Sequence, residues 1–296
     1  MNGILLVNKP QGFTSFDVIA KLRGILKIKR LGHSGTLDPL ATGVLPVFIG
    51  KATRACDILP NNVKSYTAGF RLGISTDTQD ITGAVTDSSD MMKNKGDVET
   101  ALSGFLGETD QLPPMYSAVS VGGRRLYELA RQGIEIERTP RKIKVSEIRL
   151  LDFDEKSQTG TIFISCSKGT YIRTIIHDIG QMLGSYAVMT SLVRNSSSGF
   201  LLEHCLTLEE IISLKESNRL LERIIPVEKA FNCYEKISLD EIQTKKYKNG
   251  IRLDANRISH KSGCEIYSVF GFDGLFLGLA NIDIVNLELV SIKNFY

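Results

Sequence analysis

Gly32-His33-Ser34-Gly35-Thr36-Leu37-Asp38-Pro39-Leu40-Ala41-Thr42-Gly43-Val44-Leu45 is the stretch on which the reading of this chain turns. It lies between a helical pattern on its N-terminal side and an apolar run that starts at Val44. Asp38 precedes a proline, so its backbone is biased away from the α region toward extended geometry. Gly32, Gly35 and Gly43 open conformations closed to other residues. The expected product is an ordered loop able to hold a carboxylate in a cleft, with the His33 imidazole five residues upstream. A plain turn uses the same signals, since Asp-Pro and glycine pairs punctuate many loops. Spacing alone leaves both readings open.

The surrounding chain bounds the answer. Its 296 residues can bury a full core in one or two domains. A net charge of +3 is too weak to announce nucleic-acid binding, so an RNA surface would have to come from local clusters. Five scattered cysteines without a Cys-x-x-Cys pair argue against zinc and against a disulfide framework, and fit a reducing cytoplasm. The N-terminus lacks a basic start followed by a long apolar segment, so no signal peptide is expected. No run approaches the roughly 18 apolar residues of a membrane span.

Outward from the central loop, Gly3 to Val7 reads as a strand. Thr14 and Asp17 form a capping-box pattern for a helix carrying Val18, Ile19, Leu22, Ile25 and Leu26. Val44 to Ile49 and the alternating Lys64 to Gly73 are strand patterns, with Tyr66, Ala68, Phe70 and Leu72 on one face. Gly43 to Lys51 misses the phosphate-loop spacing, and Asp77, Asp80 and Asp87 lack that of a calcium loop; they lie in a polar connection. Asp97 is expected to cap a helix through Leu106. Residues 110–142 interleave Tyr116 and Tyr127 with Arg124, Arg125, Arg131, Arg138 and Arg141, which suits either an RNA-clasping insertion or a mobile surface hairpin.

Lys142 to Leu151, Thr159 to Cys166, Tyr186 to Arg194 and Gly199 to Leu202 read as further strands. Arg173 stands at the start of a helix, where the dipole is positive; an anionic partner or solvent exposure would account for it. Thr207 can cap Leu208 to Leu214. A boundary falls near residue 236, before a capping-box pattern at Ser238 to Glu241, the basic Lys245-Lys246-Tyr247-Lys248, and short strands at Glu265 to Phe270, Phe276 to Asn281 and Leu287 to Ile292. Lys245 and Lys246 suit phosphate contact or ordinary basic surface.

The central loop resembles motif II of the TruB family of tRNA pseudouridine synthases, and the likeness runs through the chain in order. Asn8-Lys9-Pro10-Gln11-Gly12 with Thr14-Ser15 resembles the N-terminal block. Lys64-Ser65-Tyr66 to Leu72-Gly73, followed by Thr76 to Asp80 and Gly83, resembles the tyrosine block. Gln111 to Ala118 and Tyr127 to Gly133 resemble the RNA-clasping insertion. Cys166 to Thr174 resembles the arginine block, and Leu192-Val193-Arg194 stands at the Leu-x-Arg segment. Ser120 replaces a common lysine, a departure that touches RNA affinity rather than chemistry, and Ser34 for a common threonine is a mild one.

The resemblance implies an α+β protein: a mixed, mostly antiparallel sheet with flanking helices, an inserted RNA-binding thumb at about 110–142, and a small β-rich PUA-like domain. Residues 1–236 would form the catalytic domain and 237–296 the PUA-like one. It implies isomerisation of uridine 55 in the tRNA T loop, with base flipping, no cofactor and no metal. Asp38 would be catalytic, and His33 would fill the space left by the flipped base. Tyr66 would stack on the uracil, although its phase with Ala68, Phe70 and Leu72 equally reports packing. Arg173 would pair with Asp38, Leu192 would cover the base, and Asp80 and Tyr171 would contact the substrate. Lys9, Arg124, Arg131, Arg141, Lys245 and Lys246 would meet RNA. The partner is the tRNA T arm, with no membrane and no protein partner, for a chain expected to be monomeric. Three other readings are weighed. An RNA-binding protein without turnover would lack release of the uracil C5 hydrogen. A relative guided by a small RNA would carry terminal extensions, whereas this chain starts almost at the Lys-Pro block. A carboxylate hydrolase would want a second acid paired with Asp38, and none is close in sequence.

Overall fold

The structure, a computed structural model, describes residues 1–296. Strand β1 (Gly3–Lys9) is followed by helix α1 (Ser15–Leu26), which begins at the Thr14–Asp17 capping box and stops at Lys27, a left-handed residue with φ 57°. The helix packs Val18, Ile19, Leu22 and Leu26 onto Leu5, Val7, Leu45 and Val47. Strand β2 (Leu31–His33), which carries no periodic signal of its own, pairs with β3 (Thr42–Ile49). The alternating stretch is β4 (Lys64–Leu72). The polar connection after it contains a small hairpin, β5 (Ile74–Thr76) and β6 (Val85–Ser88), that the sequence reading did not resolve.

Helix α2 (Lys95–Ser103) is capped by Asn94, while Asp97, the expected cap, is the third helical residue and returns the reciprocal bond. After β7 (Gly107–Gln111), the insertion holds the two-residue strands β8 (Ser120–Val121) and β9 (Arg124–Arg125) and the short helix α3 (Leu126–Ala130). It closes at β10 (Arg141–Asp154), which pairs with β11 (Thr159–Cys166). Helix α4 (Ile172–Leu183) and strands β12 (Ala187–Ser197) and β13 (Phe200–Leu201) follow. Tyr186, expected to open β12, instead has φ 58° and serves the turn. Helix α5 (Leu208–Glu216) is capped by Thr207 as expected.

These strands form one nine-stranded sheet with the path β1-β3-β12-β4-β11-β10-β7, while β2 lies on β3 and β13 on β12. Only the β3–β12 pair is parallel, and it joins Thr42–Gly43 to Val193–Arg194. Gly43 is required there: its φ is 102°, and a side chain would overlap the Arg194 backbone. The pairing thereby fastens the end of the Asp38 loop to the strand that carries Leu192. A buried cluster with Tyr66, Ala68, Phe70, Ile162, Ile164, Ile175, Ile176, Ile179 and Leu192 fills the space between the sheet centre and α4.

A second sheet begins at β14 (Glu235–Ser238), a strand that straddles the expected boundary. Asp240, with Gln243, caps α6 (Glu241–Lys248), two residues beyond the Ser238 pattern read from sequence. Strands β15 (Leu253–Asp254), β16 (Tyr267–Phe270), β17 (Phe276–Asp283) and β18 (Glu288–Asn294) complete the order β14-β16-β17-β18-β15. Leu279 and Phe295 from this sheet share a buried cluster with Ile4, Leu6, Phe48 and Phe231, so the two units have a common core at their junction. No helix is long and apolar enough to cross a membrane. All five cysteines are free thiols.

Candidate active site

The two neighbours of Asp38 in the chain are clamped by the N-terminal block. Ser15 Oγ, buried at the start of α1, accepts from the Leu37 amide (2.8 Å) and donates to the Leu37 carbonyl (3.2 Å). The Gly12 amide donates to the Pro39 carbonyl at 2.8 Å. Lys9 Nζ donates to the carbonyls of Pro10 (3.0 Å), Pro39 (3.4 Å) and Phe13. Lys9 is fully buried, so its expected contact with RNA is corrected: its ammonium holds the loop from inside. Burial lowers its pKa to about 8, against the pull of the nearby Asp38.

With Leu37 and Pro39 fixed, the Asp38 side chain points into a cleft of about 350 Å³ and stays 37% exposed. Its Oδ2 lies 2.9 Å from Arg173 Nε. Arg173 is 5% exposed and makes two further bonds, from Nη1 to the Thr78 carbonyl (2.8 Å) and from Nη2 to the Tyr116 carbonyl (2.9 Å). A cation in the first turn of α4 opposes the helix dipole, and the Asp38 carboxylate offsets that opposition. The preceding turn is fixed by Gln111, whose side chain accepts from the Tyr171 amide at 2.8 Å and donates to its carbonyl at 3.0 Å.

Tyr66, Leu192, Tyr171 and Ile172 give the cleft its aromatic and apolar lining. Tyr66 is directly opposite Arg194 in the β4–β12 register. Burial raises the Tyr66 pKa, with the Arg194 guanidinium opposing, so the phenol is neutral at neutral pH. Ser117, Ala118 and Val119 of the insertion close another side, and Arg141 reaches the same cleft. The structure therefore brings Asp38, Tyr66, Tyr171, Arg173, Leu192 and Arg141 together.

Other expected residues stand elsewhere. Asp80 is buried behind Arg173 rather than on the cleft wall: Oδ1 accepts from Thr78 Oγ1 and Thr82, and Oδ2 is 3.9 Å from Arg173 Nη1. In this arrangement Asp80 supports the arginine. His33, at the end of β2, is not in the wall; its Nδ1 is buried without a partner, and burial, with Arg194 and Lys64, lowers its pKa. Arg124 and Arg131 are exposed on the insertion, where Arg124 meets Gln132 at 2.9 Å and Arg131 lies over the Tyr127 ring. Lys245 and Lys246 are exposed on the last turn of α6.

Sequence reasoning passed over Lys64 as a site residue, although it shares a strand face with Tyr66 and lines the cleft. Arg194 was visible only as part of a block. It is fully buried, donating Nε to the Val44 carbonyl (2.7 Å) and Nη2 to the Gly35 carbonyl (2.9 Å). No group of three or more His, Cys, Asp or Glu side chains is placed to hold a metal ion.

Comparison with known proteins agrees with this geometry. Over 99% of this chain and 85% of the other, the fold superposes with a TM-score of 0.74 and 26% identity on a chain from a Cbf5-Nop10-Gar1 complex. A chain from an H/ACA RNP bound to a substrate RNA shares the fold at TM-score 0.73 and 24% identity, over 99% of this chain and 85% of that one. Residues 23–172 match the model of the TruB family pseudouridylate synthase N-terminal domain, and 173–232 that of the tRNA pseudouridylate synthase B C-terminal domain. The tRNA pseudouridine synthase B of Clostridium tetani is 43% identical over 94% of this chain and 95% of its own. Its counterpart in Bacillus subtilis is 39% identical over 94% of this chain and 92% of its own.

A mixed sheet whose cleft holds one guanidinium-clamped carboxylate, together with these likenesses, defines an isomerase of the pseudouridine synthase class. Within that class the chain belongs to the TruB family.

Proposed function

We propose that the protein converts uridine 55 in the T loop of tRNA to pseudouridine, acting alone as a monomer on the everted nucleotide. The observation that carries this reading is the Asp38–Arg173 pair at 2.9 Å in a cleft with an aromatic and apolar wall that an insertion rich in arginine overhangs. The reaction breaks the C1′–N1 bond, forms C1′–C5 on the same uracil, moves a proton from C5 and delivers one to N1. The balance closes without an oxidant or a second substrate. Attack at C1′, attack at C6 and removal of a 2′ proton all require an ionised carboxylate at the junction of sugar and base. Arg173 holds the Asp38 carboxylate in a fixed orientation, because its remaining donors are fixed on backbone carbonyls.

A base buried in a folded loop has to leave its stack to reach that carboxylate. Tyr66 offers a flat face for the uracil, and Leu192 excludes water from the other side. His33, neutral at pH 7, acts by shape where the base has left. Arg124, Arg131, Lys245 and Lys246 supply exposed charge for the phosphates of the T arm, with residues 237–296 as a PUA-like RNA-binding unit.

Incubation with a tRNA transcript labelled at the uracil C5 positions tests the reading. Stoichiometric tritium release and a single pseudouridine at position 55 are expected. Asp38→Asn is expected to bind the transcript while turnover falls at least a thousandfold. Binding without release by the wild-type chain, modification elsewhere, or near-normal turnover by the variant would overturn it.

A further inference from the structure

Two cations of the cleft, Lys64 and Arg141, have no acidic partner; Arg141 is exposed, whereas Lys64 is partly withdrawn from solvent. Lys64 opens β4 two residues before Tyr66, so both side chains leave the same face of the strand, about 7 Å apart along it. Asp38, Tyr66 and Lys64 line the same cleft. The groups around the Lys64 ammonium are Arg194 from β12, Cys166 from β11, Lys168 from the turn after β11, and His33 from β2. None is a carboxylate. Lys64 also forms no hydrogen bond or ion pair within the chain, whereas Arg173 at the Asp38 side is bonded at every nitrogen.

The cation behind Lys64 is unusual too. Arg194 is fully buried and faces no carboxylate: two of its nitrogens donate to backbone carbonyls, and the Tyr66 phenol is the polar side chain beside it. Gly35, three residues before Asp38, is what lets both cations approach the loop. A side chain there would begin 2.6 Å from Lys64 Nζ and 3.3 Å from Arg194 Nη1, at a φ of 74° that favours glycine. A half-buried ammonium set against a buried guanidinium is costly to keep charged unless an anion comes to it. The side chain is therefore arranged for an anion that arrives with the substrate.

We propose that Lys64 is the phosphate anchor of the cleft: its ammonium receives a backbone phosphodiester of the everted nucleotide, with Arg194 as the buried charge behind it. The inference rests on the reading that a tRNA nucleotide enters this cleft. It assigns Lys64 to placing the substrate and leaves bond rearrangement to Asp38. A proton is coupled to that role. In the free protein burial and Arg194 lower the Lys64 pKa to about 8, and a bound phosphate raises it again. Above about pH 8 the free protein therefore loses a proton that the complex keeps, and binding weakens by up to tenfold per pH unit.

The test uses the full chain with a tRNA transcript, comparing wild type, Lys64→Met and Lys64→Arg. Binding is measured from pH 6.5 to 9.5 and across salt, with single-turnover pseudouridine formation at saturating RNA and thermal unfolding as controls. Wild-type affinity is expected to be about tenfold weaker at pH 9 than at pH 7. Lys64→Met should bind more weakly at pH 7, lose this pH dependence, and lower the slope of log Kd against log salt by about 0.7. Its saturated single-turnover rate should stay within a few-fold of wild type. Lys64→Arg should bind well, with no fall up to pH 9.5, because arginine keeps its proton. An unchanged affinity and salt slope in Lys64→Met would overturn the proposal. So would normal binding with a lost single-turnover rate in both variants, which would move Lys64 into the chemistry. Wild-type protein that modifies another position refutes the T-loop reading separately, since the phosphate anchor is judged by the lysine variants on whichever RNA is modified.

Discussion

Three different oxygens converge on one guanidinium at Arg173: the Asp38 carboxylate, a carbonyl of the loop before Asp80, and a carbonyl of the insertion. The side chain is 5% exposed, so each bond is made away from competing water. Lysine has neither the fork nor enough reach to serve all three. Arg173→Lys is expected to cut the single-turnover rate by at least a hundredfold, with transcript affinity changed only a few-fold. A rate within threefold of wild type at saturating RNA would show that the pair does not orient Asp38. At this scale the local settings of Asp38 and Arg173, an acid before proline and a cation at a helix start, left a plain turn and an exposed arginine equally open, and only the family resemblance paired the two; the structure places them 2.9 Å apart. The sequence was misleading for Lys9, since a lysine beside proline and glycine carries no sign of burial.

The Lys-Pro block behaves as one element. Lys9, Gly12 and Ser15 each bond to Leu37 or Pro39, and none of them touches Asp38 itself through a hydrogen bond. The loop is thus held on both sides of Asp38, which is how backbone bonds can aim a side chain without consuming its oxygens. Ser15→Ala removes two buried bonds to Leu37 and leaves its amide and carbonyl short of partners, at a cost of about 1–3 kcal/mol. The expected result is a fall in kcat of about tenfold or more, with the pH profile and the transcript Kd unchanged. A weakened Kd with normal kcat would assign Ser15 to RNA binding instead. The elements themselves were largely legible: α1, β4, β11 and α5 follow from capping pairs and periodicity. The helix caps at Asn94 and Asp240 were displaced because several polar residues crowd each start, and only backbone geometry chooses among them.

Across the whole molecule, the second sheet is joined to the first by apolar packing. Leu279 and Phe295 meet Ile4, Leu6, Phe48 and Phe231, and the Phe231, Phe276 and Phe295 rings lie 5.4 to 6.1 Å apart. Removing residues 235–296 would uncover that cluster as well as take away Lys245 and Lys246. Both a lower thermal midpoint and weaker tRNA binding are therefore expected. Calorimetry and binding on the truncated chain check this, and an unchanged midpoint would mean that the shared cluster adds nothing to the stability of the larger unit.

Local pattern was enough to establish the main helices and long strands, because caps and alternation act over a few residues, and the Asp38 loop and the arginine block stood out through their resemblance to a family. Tertiary structure alone decided that β12 runs parallel to β3, that Asp80 stands behind Arg173, and that Lys64 and Arg194 lie together without an acid. Those facts depend on register between strands more than a hundred residues apart and on which side chains lose their water, and no window of sequence contains either.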